Sequence, residues 1–142
     1  DNVRGGRAEV LQGRHLFIGV SAANQVSMDM VRSMAKDPIV FALANPVSEI
    51  TVEDAYRAGA AIALDGRSMN NALAYPGIIR GVLEARARYI TPALLLAAAR
   101  AISACAEPTE LVPSPLDPRV HAAVCAAVRA ASEQIFTTPP SA

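Results

Sequence analysis

A chain of 142 residues suffices for one compact domain that buries roughly two-thirds of its unfolded surface. Lys plus Arg number 13 and Asp plus Glu number 13, so no net field draws a polyanion and nucleic acid is not an expected partner. No apolar run reaches the roughly 18 residues needed to span a bilayer, and the longest Ala/Leu stretch, Pro92 to Ala99, is followed by Arg100.

The first residues carry no basic-then-apolar leader, and the segment Gly5-Gly6-Arg7-Ala8-Glu9-Val10, which leads within a few residues into a strand, reads as the interior of a domain. His15 to Ser21 holds a continuous apolar run, Leu16 to Val20, which suits a parallel strand buried on both faces. Ser27 is a candidate N-cap for a helix carrying Asp29, Met30, Val31 and Met34, closed by Asp37-Pro38. Ile39 to Ala44 is a second apolar strand, stopped at Asn45-Pro46 because Pro donates no ladder hydrogen bond. Thr51 caps a short helix, with Asp54 where a capping box places an acid, and Gly59 ends it. Ala60 to Leu64 is the third strand. Strand-then-helix units of this length require crossovers, and so predict a parallel sheet of about three strands, half of a doubly wound α/β domain.

From Asn70 onward the pattern is helical. Asn70 or Asn71 caps a helix to about Arg88, with Ile78, Ile79, Val82 and Leu83 on its buried side and Pro76 either kinking it or confining its start. Thr91-Pro92 starts a second helix to about Ala104. A loop with four prolines, Glu107 to Pro118, leads through Asp117-Pro118 into a last helix, Arg119 to about Gln134. No internal domain boundary is read, and residues 137–142 are expected to form a disordered tail after a domain of residues 1–136. Cys105 and Cys125 have neither a second pair nor a His at ligand spacing, which argues against zinc and disulfides and for a reducing, cytoplasmic setting.

Ligands of open parallel sheets bind beyond the carboxyl ends of the strands. Those ends are Ser21-Ala22-Ala23-Asn24, Asn45-Pro46 and Asp65-Gly66-Arg67-Ser68, with Asn70-Asn71 just beyond. Small residues let a flat or phosphate-bearing ligand approach the backbone, and neutral amides both donate and accept. Each also has a local explanation: Asn45 before Pro can form an Asx turn, and Asn70 or Asn71 can be a helix cap. His15 and His121 read as structural. Glu53 and Asp54 read as helix-start charges, and Arg86 with Arg88 as a solvated helix end.

Several segments are more specific. Phe17-Ile18-Gly19-Val20-Ser21, Asp29-Met30-Val31-Arg32-Ser33-Met34-Ala35 and Pro38-Ile39-Val40-Phe41-Ala42-Leu43-Ala44-Asn45-Pro46 resemble consecutive segments of the malic enzyme cofactor domain. The resemblance continues through Glu49-Ile50-Thr51, Gly66-Arg67-Ser68, Asn70-Asn71 and Pro76-Gly77-Ile78-Ile79-Arg80-Gly81. It ends at Pro113-Ser114-Pro115-Leu116-Asp117-Pro118-Arg119, which is similar to bacterial members. It implies a Rossmann-like fold and a part in the oxidative decarboxylation of malate to pyruvate, with reduction of NAD or NADP and with Mg or Mn. Asn45 and Asn71 would face malate and the nicotinamide end of the cofactor, with Asn70 beside them as a further substrate contact. Ser21 and Ala22 would lie against the dinucleotide.

The family's catalytic Tyr and Lys, its Glu-Asp-Asp metal ligands and its Gly-rich turn precede the region that this chain resembles. No catalytic or metal residue is therefore assigned here, the chain alone is expected to be inactive, and its partner would be the amino-terminal part of the same enzyme. Malate and pyruvate are the implied ligands, and an exposed half-sheet predicts self-association into a homo-oligomer. Between Ser68 and Asn70 only Met69 stands where bacterial relatives carry a longer stretch rich in Asp, Pro and Gln. Two alternatives are a non-catalytic nucleotide-binding or oligomerisation module and another nicotinamide-dependent dehydrogenase, such as an amino-acid dehydrogenase; the paired Asn and the Pro-Ser-Pro segment argue against the latter.

Overall fold

The computed structural model describes residues 5–137, which fall into two compact units, one ending at Met69 and the other beginning at Asn70. The first unit holds three parallel strands in the order β1-β2-β3: β1 Leu16–Gly19, β2 Ile39–Ala42 and β3 Ile62–Asp65. In register, Leu16 pairs with Ile39 and Ile39 with Ile62, so Gly19, Ala42 and Asp65 end the strands in one row. The expected half of a doubly wound sheet is thus present, with each strand trimmed to four residues. A helix not anticipated from the sequence, α1 (Arg7–Leu11), precedes β1. Its Gly6 cap has no side chain to signal a start, and the helix is only five residues long.

The crossovers are α2 (Met28–Arg32) and α3 (Val52–Arg57). Ser27 Oγ accepts the Met30 N–H at 3.3 Å, and Thr51 Oγ1 accepts the Asp54 N–H at 3.0 Å, which satisfies orphan donors at both helix starts. The Thr51 hydroxyl also donates to Asp54 Oδ2 at 2.8 Å, in place of the reciprocal bond of a capping box. Glu53 and Asp54 pair with Arg57 at 2.6 and 3.7 Å on an exposed surface, where such pairs contribute little. Gly59, at φ +101°, turns the chain out of α3 in a conformation that suits glycine.

The side chains of these helices meet one face of the sheet. Val31, Met34, Ala55 and Ala58 join Val40, Ala42 and Ala63 in a single core. Val40 is fully buried, and a Val so placed stabilises by about 1.5–3 kcal/mol. The opposite row differs from the expectation for β1: Leu16 and Ile18 are 47% and 57% exposed, so this strand is not buried on both faces. Side chains alternate along a strand, and Leu16 and Ile18 stand opposite the Phe17–Gly19 row.

The second unit begins with a 3-10 turn at Asn71–Leu73, followed by α4 (Tyr75–Glu84), α5 (Pro92–Cys105) and α6 (Pro118–Thr137). Pro76 lies in the first turn of α4, where its missing N–H costs nothing. The helix ends at Glu84, short of Arg88, and Arg86 follows at φ +50°. Thr91 Oγ1 accepts the Leu94 N–H at 3.3 Å, and Asp117 Oδ1 accepts the Arg119 N–H at 2.9 Å, so both cap-then-Pro signals mark real starts. Leu73, Ile78, Leu94, Ala98, Val120, Val124 and Val128 form the core. The valines of α6 recur every four residues and make one apolar stripe.

Against that stripe α4 presents glycines. A Cβ on Gly77 would stand 2.7 Å from Val124 Cβ, and one on Gly81 would stand 2.8 Å from the Cys125 carbonyl oxygen. This close approach sets which face of α4 is inside. It also corrects the placement of Leu83, which is 71% exposed because Gly77, Ile78 and Gly81 occupy the buried side. The expected tail, residues 137–142, lies outside the described residues except for Thr137, the last residue of α6.

Candidate functional site

The carboxyl ends of β2 and β3 open onto a cleft of about 280 Å³. Asn45, Pro46 and Val47 follow β2 on one wall, and Asp65, Gly66 and Arg67 follow β3 on another. The Asn45–Pro46 peptide bond is cis. Asn45 is exposed at the cleft, so its amide is free to meet a ligand.

Each wall is held by a carboxylate. Glu49 is fully buried. Its Oε1 accepts the Ser21 N–H at 2.7 Å and the Ser21 hydroxyl at 3.1 Å, and its Oε2 accepts the Ala44 N–H at 3.0 Å. Burial alone raises its pKa. The bonds from the Ser21 and Ala44 N–H groups, its own N–H and the Ser21 hydroxyl outweigh that, and hold the carboxyl below the 4.5 ordinary for glutamate. One side chain thereby ties the segment after β1 to the residue before Asn45. Gly19 makes room for it, since a Cβ there would stand 2.6 Å from Glu49 Cδ.

Asp65 does the same for the β3 loop. Its Oδ1 accepts the N–H groups of Arg67 and Ser68 at 3.1 and 2.9 Å and the Ser68 hydroxyl at 2.9 Å. Burial again acts upward on its pKa, but the Ser68 N–H and hydroxyl, the Arg67 N–H and the Arg67 charge hold it below the ordinary 3.8. Gly66 lies so close to β2 that a Cβ would stand 2.7 Å from the Leu43 carbonyl oxygen. Cleft shape therefore depends on backbone fixed by two anions, not on bulky side chains.

The residues singled out from the sequence fare differently. Asn45 lines the cleft. Ser21 and Ala22 are exposed after β1, and Ser21 spends both its N–H and its hydroxyl on Glu49. Asn70 Oδ1 accepts the Ala72 N–H at 2.7 Å, which makes it the cap of the 3-10 turn that Asn71 begins. Asn70 and Asn71 thus adjoin each other at the start of the second unit. His121 is structural: its Nε2 lies 2.7 Å from the Ala72 carbonyl oxygen and donates to it. Glu49 and Arg67 had drawn no site assignment. Arg67 falls in the strand-end segment Asp65-Gly66-Arg67-Ser68 that topology places at the crevice, whereas the only signal for Glu49 is its presence in a segment with family resemblance.

Among the described residues, no three His, Cys, Asp or Glu side chains come together as metal ligands, and no helix is long and apolar enough to cross a membrane.

Parallel strands ending in small and amide residues around one cleft form the arrangement of a dinucleotide-binding domain. The comparisons narrow this. Residues 10–137 match the family model described as malic enzyme, NAD binding domain. The chain is 44% identical over 142 residues to the bifunctional malic/malolactic enzyme of Bacillus subtilis, covering 93% of this chain and 35% of that protein. It is 39% identical to the NADP-dependent malic enzyme of Rhizobium meliloti, covering 88% of this chain and 20% of that one. The malic enzyme of Pyrococcus horikoshii superposes with a TM-score of 0.88 at 37% identity, over 99% of this chain and 35% of the other. The NAD-dependent malic enzyme of Thermotoga maritima does so at 0.82 and 42%, over 88% and 35%. The chain belongs to the malic enzyme family and corresponds to part of its Rossmann-like NAD-binding domain. It spans 35% of the Bacillus subtilis relative's length.

Proposed function

We propose that this chain forms one wall of the cofactor and malate cleft in a malic enzyme that oxidatively decarboxylates malate to pyruvate with NAD or NADP. The observation that carries the reading is the exposed Asn45 amide in a cleft at the strand ends of a malic enzyme NAD-binding domain. Relatives named as NAD-dependent and as NADP-dependent both support a nicotinamide dinucleotide. When bound, that cofactor supplies the hydride acceptor.

The chain's own residues bind and orient. In this reading Asn45 and Asn71 donate to malate and to the nicotinamide end, with Asn70 beside them, and Ser21 and Ala22 border the dinucleotide. An Asn amide has no titration in the working pH range, so it positions a carboxylate and moves no proton. Among the described residues no ligand set for Mg or Mn comes together. The base, the acid and the metal ligands belong, by the family resemblance, to sequence preceding this region, so the chain on its own is proposed to be inactive. The free thiols of Cys105 and Cys125 support a cytoplasmic setting.

Titration with NADH, followed by its fluorescence, tests the reading. Saturable binding is expected, and Asn45→Ala should raise Kd about fivefold, the value of one neutral hydrogen bond of about 1 kcal/mol to the nicotinamide end. Wild-type protein that shows no saturation would count against it. A homo-oligomer is part of the same proposal, supported by the exposed Leu16, Ile18 and Val20 along β1 and just after it. Sedimentation should show association that weakens in Ile18→Lys; a concentration-independent monomer would contradict it.

A further inference from the structure

Resting on the function proposed above, we infer that Arg67 is the residue of this cleft that takes a ligand oxyanion, either a carboxylate of the substrate or a phosphate of the cofactor. Arg67 lines the cleft together with Asn45. Its backbone is held by two independent devices: Asp65 Oδ1 takes the Arg67 N–H at 3.1 Å, and Gly66 packs against the Leu43 carbonyl oxygen. The base of the side chain is therefore fixed while its head is not.

The guanidinium has no hydrogen bond and no ion pair among the described residues. Arg32, Arg57, Arg80 and Arg119 all pair with carboxylates on their own or adjoining turns. Asp65 is the carboxylate nearest in sequence, and it serves the loop: one of its oxygens is occupied by three donors. Its charge still acts on Arg67, and the two offset each other at long range. At contact, however, five guanidinium N–H groups in a planar fork match two oxygens of a carboxylate or phosphate. The neighbouring Asn45 amide adds a neutral donor. Asp65 offsets the charge of Arg67 at long range, so the preference for an anion rests on this contact geometry and not on a net field.

The test uses the whole chain, labelled with nitrogen-15, with malate and NADH titrated separately into wild type, Arg67→Gln and Arg67→Lys. Arg67→Gln should weaken at least one ligand about tenfold or more, with Arg67→Lys recovering only part of the loss because a point charge lacks the fork. Loss confined to malate identifies the carboxylate, loss confined to NADH identifies the phosphate, and loss of both means that the guanidinium serves both. If neither ligand is weakened while Asn45→Ala still weakens NADH, the role of Arg67 is overturned and the proposed function stands. If wild type binds neither ligand, the proposed function fails. A sulfate titration then decides the inference: a saturable shift of the Arg67 Nε resonance upholds it, and an unmoved resonance overturns it.

Discussion

Glu49→Ala is expected to destabilise the first unit by about 3–5 kcal/mol, the largest effect of any single change outside the apolar cores. The carboxylate is fully buried and is the acceptor for two backbone N–H groups and a hydroxyl. Deleting it leaves the buried Ala44 N–H without a partner, at about 1–3 kcal/mol, and forfeits the charge-assisted bonds from Ser21, whose exposed backbone turns to water instead, at about 1.5–3 kcal/mol more. Glu49→Gln keeps the volume but turns an NH₂ toward one of these donors, so it should cost about 2 kcal/mol.

The pH dependence follows from the direction of the pKa shift. The folded-state value lies below the 4.5 ordinary for glutamate, so the unfolded chain takes up the proton first on acidification. The stabilisation is complete above the unfolded value and is lost as pH falls through the lower folded value. The difference between wild type and Glu49→Gln should therefore be largest near neutrality and shrink in acid below about 4.5. Denaturant midpoints at neutral and acid pH measure it. A difference that is absent at pH 7, or that grows in acid, would refute the assignment.

Gly77→Ala has the second large expected effect, and two terms oppose each other. Alanine is favoured over glycine inside a helix by about 1 kcal/mol. Here the added methyl would stand 2.7 Å from Val124 Cβ and 2.8 Å from the His121 carbonyl oxygen. Neither atom can swing aside, because one is backbone and the other is the branch point of a stiff side chain. Relief requires α4 to move away from α6, and overpacking of this kind costs about 1–3 kcal/mol or somewhat more. The clash should win, with a net loss of about 2 kcal/mol read from thermal melting of the helical circular dichroism. A variant that melts higher than wild type would show that the helices yield more easily than their packing implies.

Local chemistry was legible in the sequence. Ser27, Thr51, Thr91 and Asp117 each accept a backbone N–H two or three residues on, and such caps are written in adjacent residues. The three strands were legible for the same reason, as apolar runs bounded by polar or proline residues. What long-range contact decides was not. Glu49 reads as an ordinary loop acid, and only its distance of 28 residues from Ser21 along the chain, closed to 2.7 Å in space, makes it a keystone. Leu83 fits the apolar side of α4 by periodicity, but α6 selects the face with glycines, where the backbones can approach most closely. Asn70 could be read as cap or ligand, and its Oδ1 makes the capping bond. At the cleft, strand topology places both Asn45 and Arg67 at strand ends, but nothing local distinguishes Arg67 from an ordinary solvated cation.

The tight seat of α4 on α6 also gives the protein an internal chemical probe. Cys125 lies in that seam, 6% exposed, with its thiol 3.6 Å from Glu84 Oε2, to which it donates. Burial, then the charge and hydrogen bond of Glu84, push its pKa up and suppress the thiolate on which alkylation and oxidation depend. Cys105 is only partly buried on α5. A maleimide should therefore label Cys105 faster than Cys125, whose thiol meets the surface only through a small pocket lined by Arg80, Ala122, Ala126 and Arg129. Any loosening of α4 on α6 would then register as faster labelling of Cys125.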